Sequence, residues 1–590
     1  MSIPVITTEA IEKTLLPADS QATLTVQQLQ ERASYLSFQS EVGSYVSTID
    51  GRTLHKDSVI SLNSPTNDKF KLDPITELPS SRPTPRLSVD GQNVILEEDN
   101  LPLKTGTTFT RWLRWTFFSY YRRLFTLVFI GNMISLVVLL TRPNNVDKAG
   151  FVGITYSSTI DATSINLLVA ILARNEHVVN LFFRVACSVP MSAPLWFRRR
   201  VAKVYSYGGL HSGCGVAAVI WYIVFAGLVA RHIAVTPFIE PAIAALTFII
   251  IALLLAIVIF AHPTLRQKLH NWFESTHRFA GWTIVALFWA QVVLTAHYNS
   301  LAPNGLSTGR QLVQTPAFWC LIIISFCIVY SWARLRSREV RAEPLSAHAI
   351  RLHFKHSVPT YCMGVRVTDS PLKETHAFAT IPYFKTSTDP SLAEKALTPA
   401  SSPTSTTFSS QPQPITDDKG FSILISRAGD WTSRIIQNPP QKLYFRGAPT
   451  LGVLRVATLF SPCVIVTTGS GIGPCLSLFN GYSHAPQRGR PALDIRILWS
   501  TPAPTTTYGQ GIIDEVHRAD AGARIIDTRT LGKDENGKPR RPDMVMETWR
   551  LVREARAEGV VVISNPAVTR KVVYGLESRG IAACGVIFDS

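Results

Sequence analysis

Residues 461 to 481 read SPCVIVTTGSGIGPCLSLFNG, a short apolar run (Val464, Ile465, Val466) that breaks into glycines and resumes as a second, helix-like apolar run. Glycine lets backbone N–H groups close on an anion, and a helix starting there adds its positive end. A strand, a glycine-rich turn and a helix in this order can therefore hold a pyrophosphate. The stretch Gly469, Ser470, Gly471, Ile472, Gly473, Pro474 departs from G-x-G-x-x-G spacing, and an ordinary strand-to-helix turn accounts for glycines as well. The flanking sequence has to decide between the two.

Downstream, strand-like stretches (CVIVTT, IRILWS, ARIIDT, VVVIS) alternate with helix-like ones (CLSLFNGY, MVMETWRLVREARAE, AVTRKVVYGLESRG), the pattern of a doubly wound parallel sheet. The glycine turn follows the first strand, where such sheets bind nucleotides. Residues 461–590 are accordingly expected to form an α/β domain that binds a nucleotide. Upstream, AIRLHF, MGVRV and HAFATI alternate as strands of a small antiparallel β-barrel spanning 343–460. A Ser/Thr/Pro-rich insert at 384–418 interrupts the barrel, which resumes at FSILISRAGDWTSRI.

Hydrophobic residues make up 46% of the 590 and charged residues 17%, and the apolar ones concentrate between about 116 and 335. Six spans there, about 117–140, 163–187, 204–230, 239–261, 271–296 and 316–334, approach the ~20 residues that cross a bilayer. The expectation is a six-helix transmembrane bundle over 111–340. An even number of spans puts both termini on one side. Arg111, Arg114, Arg122, Arg123, Arg198, Arg199, Arg200, Lys203, Arg334, Arg336, Arg338 and Arg341 flank the ends on that side, which the positive-inside rule makes cytosolic. The reading is a multi-pass integral protein of the plasma membrane or an internal membrane, with lipid as a partner. Residues 1–110 are polar and aperiodic, as in a disordered cytosolic tail.

The formal charge of +17 is absorbed by these flanks, and no recognition motif points to nucleic acid. Eight scattered cysteines without a C-x-x-C pair support neither a disulfide framework nor a zinc site. The second span carries Arg174, Glu176 and His177 within LLVAILARNEHVVNLFF, where a charge pair that fixes helix packing and a role near a cofactor are equally open.

Six spans, a barrel and then a nucleotide-binding domain resemble the ferric reductase and NADPH oxidase superfamily of membrane flavocytochromes, and more narrowly the TmpA-type membrane flavoproteins of filamentous fungi. The resemblance covers about residues 111–590. It implies a ferredoxin-reductase-like module that binds FAD and NADPH. The family's HPFT is similar to His376, Phe378 and Thr380 with Ala379 inserted, and its GDWT is present as Gly429, Asp430, Trp431 and Thr432. Both would lie against FAD, although Asp430 and Thr432 also suit a plain helix cap. The family's GGTGITP corresponds to Gly469–Pro474 and would hold the nicotinamide nucleotide. Its C-G-P is replaced by Ser564, Asn565 and Pro566, and a G-P-Y-G turn survives only as Gly447-Ala448-Pro449. Phe588 matches a terminal aromatic that stacks on flavin, or is a core residue of the last strand. Arg529, Arg540 and Arg541 could reach a 2′-phosphate or simply form a solvated basic loop.

Relatives hold two haems with paired histidines about 13 residues apart on spans three and five, roughly 20 Å of helix. Here His211 and His277 match the inner pair, so one b-type haem is implied at most. The outer positions fall around Phe225 and around Ala290 or Gln291, and the next histidines, His232 and His297, lie 21 and 20 residues on. The expected function is a membrane-anchored FAD-dependent NADPH oxidoreductase. It would serve an unidentified cytosolic, membrane-dissolved or partner-bound electron acceptor, with a role in fungal developmental signalling or small-molecule biosynthesis. The alternatives are a transmembrane ferric reductase or superoxide-producing oxidase, and a non-catalytic receptor or scaffold.

Overall fold

The computed structural model describes residues 101–141, 154–235, 241–303, 305–355, 359–384, 419–483, 493–533, 535 and 537–586. Most of the expected tail, the insert beyond Phe384 and the terminal Phe588 lie outside these residues. The last part of that tail has a structured role: Thr105 N donates to Ser578 O at 2.8 Å, and Arg579 donates to Pro102 O at 2.7 Å.

The helical part comprises α1 (Tyr120–Thr141), α2 (Tyr156–Leu172), α3 (Glu176–Ala186), α4 (Gly208–Val235), α5 (Pro241–Ala261), α6 (His270–Ser300) and α7 (Pro316–Ala333). Among the described residues five helices, α1 and α4 to α7, are long and apolar enough to cross a membrane; α2 and α3 add a sixth only if that pair, bent by 67°, is one span. The continuous second span expected at 163–187 is therefore corrected. Asn175 breaks it, because its side chain caps α3 by accepting from His177 N (3.0 Å) and Val178 N (3.4 Å). Helix α3 then turns aside and buries Val179, Asn180 and Phe183 in a shared core with the β-domains. Arg174, Glu176 and His177 sit at or beside this break, so the ionisable residues lie where the chain leaves the bundle.

Among the described residues the barrel has eight strands: β1 (Arg336–Glu339), β2 (Arg341–Pro344), β3 (Ala349–Phe354), β4 (Met363–Thr368), β5 (His376–Ala379), β6 (Ile381–Phe384), β7 (Lys419–Ser426) and β8 (Lys442–Leu451). They form two antiparallel sheets ordered β1-β8-β4-β5 and β2-β3-β7-β6. The chain crosses between the sheets at Val340 and at Thr380, which turns the pair into a barrel around Leu352, Phe354, Val367, Ile423 and Leu443. The barrel thus starts at 336, before the expected 343. Arg336, Arg338 and Arg341 looked like a basic flank because their charge hides the strand alternation; they belong to β1 and β2.

The last domain comprises β9 (Cys463–Thr468), α9 (Ile472–Ser483), β10 (Ile495–Thr501), α10 (Gln510–Ala519), β11 (Arg524–Asp527), α11 (Met544–Ala555), β12 (Gly559–Ile563), α12 (Pro566–Glu577) and β13 (Ala582–Gly585). Its five strands are all parallel in the order β11-β10-β9-β12-β13, so the expected doubly wound sheet is present with β9 at its centre. Strand β9 feeds both faces: Val464 and Val466 pack with Val560, Val562 and Leu551, whereas Cys463 and Ile465 face the core that contains Trp499, Leu476 and Val561. That second core is continuous through α3 and the barrel to the parallel sheet, so the three parts share one apolar core.

Candidate nucleotide and flavin site

The turn after β9 is shaped by its glycines. Gly469 has φ +51°, and a Cβ on Gly471 would collide with the Ile563 carbonyl oxygen and lie 2.5 Å from Thr467 Oγ1. Thr467 Oγ1 in turn donates to that carbonyl at 3.0 Å. The backbone is thereby pressed against the C-terminal end of β12, and Trp499 Nε1 holds the Gly469 carbonyl at 3.0 Å. A Cβ on Gly473 would sit 3.3 Å from Leu424 on β7, so the start of α9 touches the barrel. Ser470 is exposed at the tip and Ile472 is fully buried beneath it, with Pro474 half-buried. The start of α9 thus lies at the C-terminal edge of the central strand, with the Ile472 N–H turned back onto the Gly469 carbonyl; a glycine turn leading into a helix at this edge is the arrangement that receives a phosphate.

Asn565 caps α12 by accepting from Val568 N at 3.0 Å, and Pro566 occupies the first turn. The Ser564 and Thr468 hydroxyls bond to each other, tying the ends of β12 and β9 together. Tyr508 is buried and its hydroxyl reaches toward Gly469; burial pushes its phenol above the ordinary value, opposed by the hydroxyls of Ser426 and Thr501. Tyr508, Ser426 and Trp499 were missed from the sequence: Tyr508 and Ser426 are marked only by ending their elements, and Trp499 reads only as an interior residue of β10. Arg529, Arg540 and Arg541 are all exposed in the segment after β11.

On the barrel, the His376 ring stacks on Trp431 with centroids 4.2 Å apart, and Phe378 lies 5.9 Å from the same indole. His376 Nε2 and Trp431 Nε1 are buried without a hydrogen-bond partner among the described residues. Glu374 stands 4.0 Å from that imidazole nitrogen, beyond hydrogen-bond reach. Burial holds the His376 imidazole below its ordinary value, with Glu374 opposing. Beside the start of helix α8 (Asp430–Gln437), Trp431 Nε1 is an orphaned donor and His376 Nε2 an orphaned nitrogen that donates or accepts with its tautomer; a flavin nucleotide would satisfy both, so this part of the site fits the group.

Two residues of the expected set act differently. Thr380 is fully buried at the barrel corner, where its hydroxyl (3.0 Å) and amide (2.8 Å) both donate to Met363 O. It turns the chain between sheets and is not available to a ligand. Thr432 Oγ1 accepts from Ala428 N (2.8 Å) and Gly429 N (2.9 Å), so GDWT forms a helix cap that leaves the next N–H groups open. Gly429 and Asp430 are exposed.

In the bundle, the His211 and His277 rings are 6.2 Å apart. His211 Nδ1 is hydrogen-bonded to Ala170 O at 2.8 Å, leaving Nε2 as its free nitrogen. His211 through Nε2, together with the neighbouring His277, would be the residues to hold a single metal-bound group here. One level along, the space is filled. Tyr222 OH donates to Gln291 Oε1 at 3.0 Å, Gln291 Nε2 donates to Thr247 Oγ1 at 2.8 Å, and Phe225 and Phe288 pack around them.

Polar contacts lock the bundle to the barrel and the parallel-sheet domain. Asn180 donates to Pro449 O (2.9 Å) and accepts from Leu451 N (2.7 Å), and Glu176 accepts from Ser331 (2.9 and 3.0 Å) and Arg366 (3.2 Å). Gly447, at φ +70°, lies where a Cβ would strike Glu176. Arg198 makes a bidentate pair with Glu558 (2.7 and 2.9 Å) and also donates to Leu459 O at 2.7 Å. Lys203 pairs with Glu577, and Arg199 donates to Gly580 O at 3.0 Å. The basic run read as a topology signal is also the docking surface of the parallel-sheet domain.

An apolar helical bundle joined to an antiparallel barrel and a parallel nucleotide fold defines the class. The comparisons narrow it: residues 453–590 match a family described as Adenylate-forming reductase 03009, C-terminal domain. Adenylate-forming reductase 03009 of Coprinopsis cinerea is 40% identical over 496 residues, which are 84% of this chain and 42% of the relative. Adenylate-forming reductase 06235 of the same fungus is 39% identical over the same shares. The chain thus spans less than half the length of these curated relatives. Among solved structures, a ferredoxin NADP+ reductase from Neisseria gonorrhoeae with bound FAD and NADP aligns at 12% identity over 43% of this chain and 99% of that one, TM-score 0.29. A flavohemoglobin from Malassezia yamatoensis with bound FAD and heme aligns at 12% over 73% and 99%, TM-score 0.33.

Proposed function

We propose that this chain is a flavin-dependent NAD(P)H oxidoreductase held at a membrane by its helical bundle, with both termini in the cytosol. The observation that carries the reading is the contact of Gly473 with Leu424, which brings the glycine turn to the same seam of the barrel that leads, six residues on, to helix α8 and Trp431. The turn Gly469–Pro474 would receive the nucleotide pyrophosphate, and the His376–Trp431 stack with the start of α8 would hold FAD. A flavin bound there would accept hydride from NADPH and could return it either as hydride or as single electrons. The protein's own part is to orient the two ring systems and to keep water from the seam with Trp499, Tyr508 and Ile472. His211 and His277 would hold one b-type haem at the barrel-side end of the bundle.

The packed Tyr222–Gln291–Thr247 level supports an acceptor on the reductase side rather than electron passage across the membrane, which weighs against the ferric reductase and oxidase alternatives within the superfamily this chain resembles. The relatives' name, joining adenylate formation to reduction, favours a specific acceptor: a carboxyl group activated as an adenylate by a separate protein or domain. Hydride adds to the carbonyl carbon, the C–O bond to AMP breaks, and aldehyde, AMP and NADP+ result. Purified full chain should carry flavin and consume NADPH with a dye acceptor, and with an acyl adenylate it should form aldehyde. A sample that binds no flavin and leaves NADPH unoxidised rejects the oxidoreductase reading and favours the scaffold.

A further inference from the structure

Where α7 ends against the barrel, three guanidiniums meet two carboxylates. Arg278 pairs with Glu274 and also reaches Leu372 O and Lys373 O, at 3.4 and 3.2 Å. Arg366 pairs with Glu176 at 3.2 Å, and Glu176 is further occupied by Ser331. Arg446 is left over. It stands directly opposite Arg366 in the β4–β8 register, a placement in which like charges repel. Its guanidinium covers the Trp332 ring at 4.9 Å, and its buried Nε has no hydrogen-bond partner among the described residues. Burial, and then the nearby Arg366 and Arg278, hold its pKa down to about 10, with Glu176 and Glu274 opposing from a distance. Both carboxylates are paired with other guanidiniums, and a half-buried cation with no directly paired anion among the described residues is costly unless an anion completes it.

We propose that Arg446 binds a phosphate ester at the bundle–barrel junction. Trp332 is next to last in α7, so the guanidinium sits at the level where that helix would emerge from a bilayer, the depth of lipid headgroups. An anionic phospholipid is one source of the phosphate, and a soluble diphosphate, including that of the flavin nucleotide in the function proposed above, is the other. The guanidinium fork suits both through paired charge-assisted hydrogen bonds.

The test uses full-length wild type, Arg446→Gln and Arg446→Lys in nanodiscs of phosphatidylcholine alone or mixed with phosphatidylglycerol. Native mass spectrometry reads retained lipid, released-flavin fluorescence reads FAD content, and calorimetry reads inorganic pyrophosphate binding. The expected result is a loss of about tenfold or more in one ligand for Arg446→Gln, with partial retention in Arg446→Lys. Loss of phosphatidylglycerol alone assigns the headgroup, whereas loss of pyrophosphate or FAD binding assigns the soluble diphosphate. Equal retention of all three ligands by folded wild type and Arg446→Gln overturns the proposal. A wild type without flavin that still holds phosphatidylglycerol through Arg446 would refute the oxidoreductase reading and leave the phosphate site standing.

Discussion

Replacing Arg198 by methionine should loosen the parallel-sheet domain from the bundle without unfolding either. The guanidinium is 6% exposed and Glu558 28%, and three of its hydrogen bonds, two to that carboxylate and one to Leu459 O, cross the seam. Breaking one partner of a buried pair costs about 3–5 kcal/mol. Glu558 keeps the Ser461 N–H at 2.9 Å and some access to water, which argues for the lower end, about 3 kcal/mol. That corresponds to about a hundredfold increase in local opening. Hydrogen exchange on the full chain should show it at Ser461 and along β12 and β13, with the bundle helices unaffected. Arg198 lowers the Glu558 pKa below the usual carboxylate value, helped by the Ser461 amide and opposed by burial. A carboxylate depressed in the folded state contributes stability that is fully present above its unfolded pKa and is lost as pH falls through the folded one. The difference between wild type and variant should therefore hold at neutral pH and shrink only below about pH 4.5. Exchange at β12 that is unchanged in Arg198→Met, or a difference that shrinks instead on raising pH, would refute the pairing as the lock.

Gly471→Ala should abolish nucleotide binding, seen as loss of NADPH-dependent quenching or protection, because its Cβ meets a backbone carbonyl that cannot yield. Gly447→Ala should cost about 1–3 kcal/mol in unfolding stability, combining a left-handed backbone with a collision against buried Glu176. Asn180→Ala should destabilise by about 1–3 kcal/mol through the two unsatisfied backbone groups of β8, measured as a lowered melting temperature. All eight cysteines are buried, and burial pushes Cys475 up to about 12, so a thiol reagent at neutral pH should label the folded protein only after denaturant is added.

The parallel sheet was legible because β9 and β12 are unbroken apolar runs, and such strands need both faces covered. The glycine turn was legible for the same local reason. The bend at Asn175 was not, since hydropathy averages over a capping residue, and Glu176 reads as an oddity in a span until its partners on α7 and β4 are known. Thr380 was read as a ligand by motif position, whereas its role at the barrel corner depends on Met363, seventeen residues earlier on a neighbouring strand. The docking role of Arg198 and Lys203 depends on residues more than 350 positions away, which no local pattern encodes.

The most direct test is an absorption spectrum of the solubilised full chain before and after anaerobic NADPH. Flavin bands that bleach on addition, with haem absorbance from one centre at most, are the predicted result. A colourless protein indifferent to NADPH, or one showing two b-type haems, would contradict it.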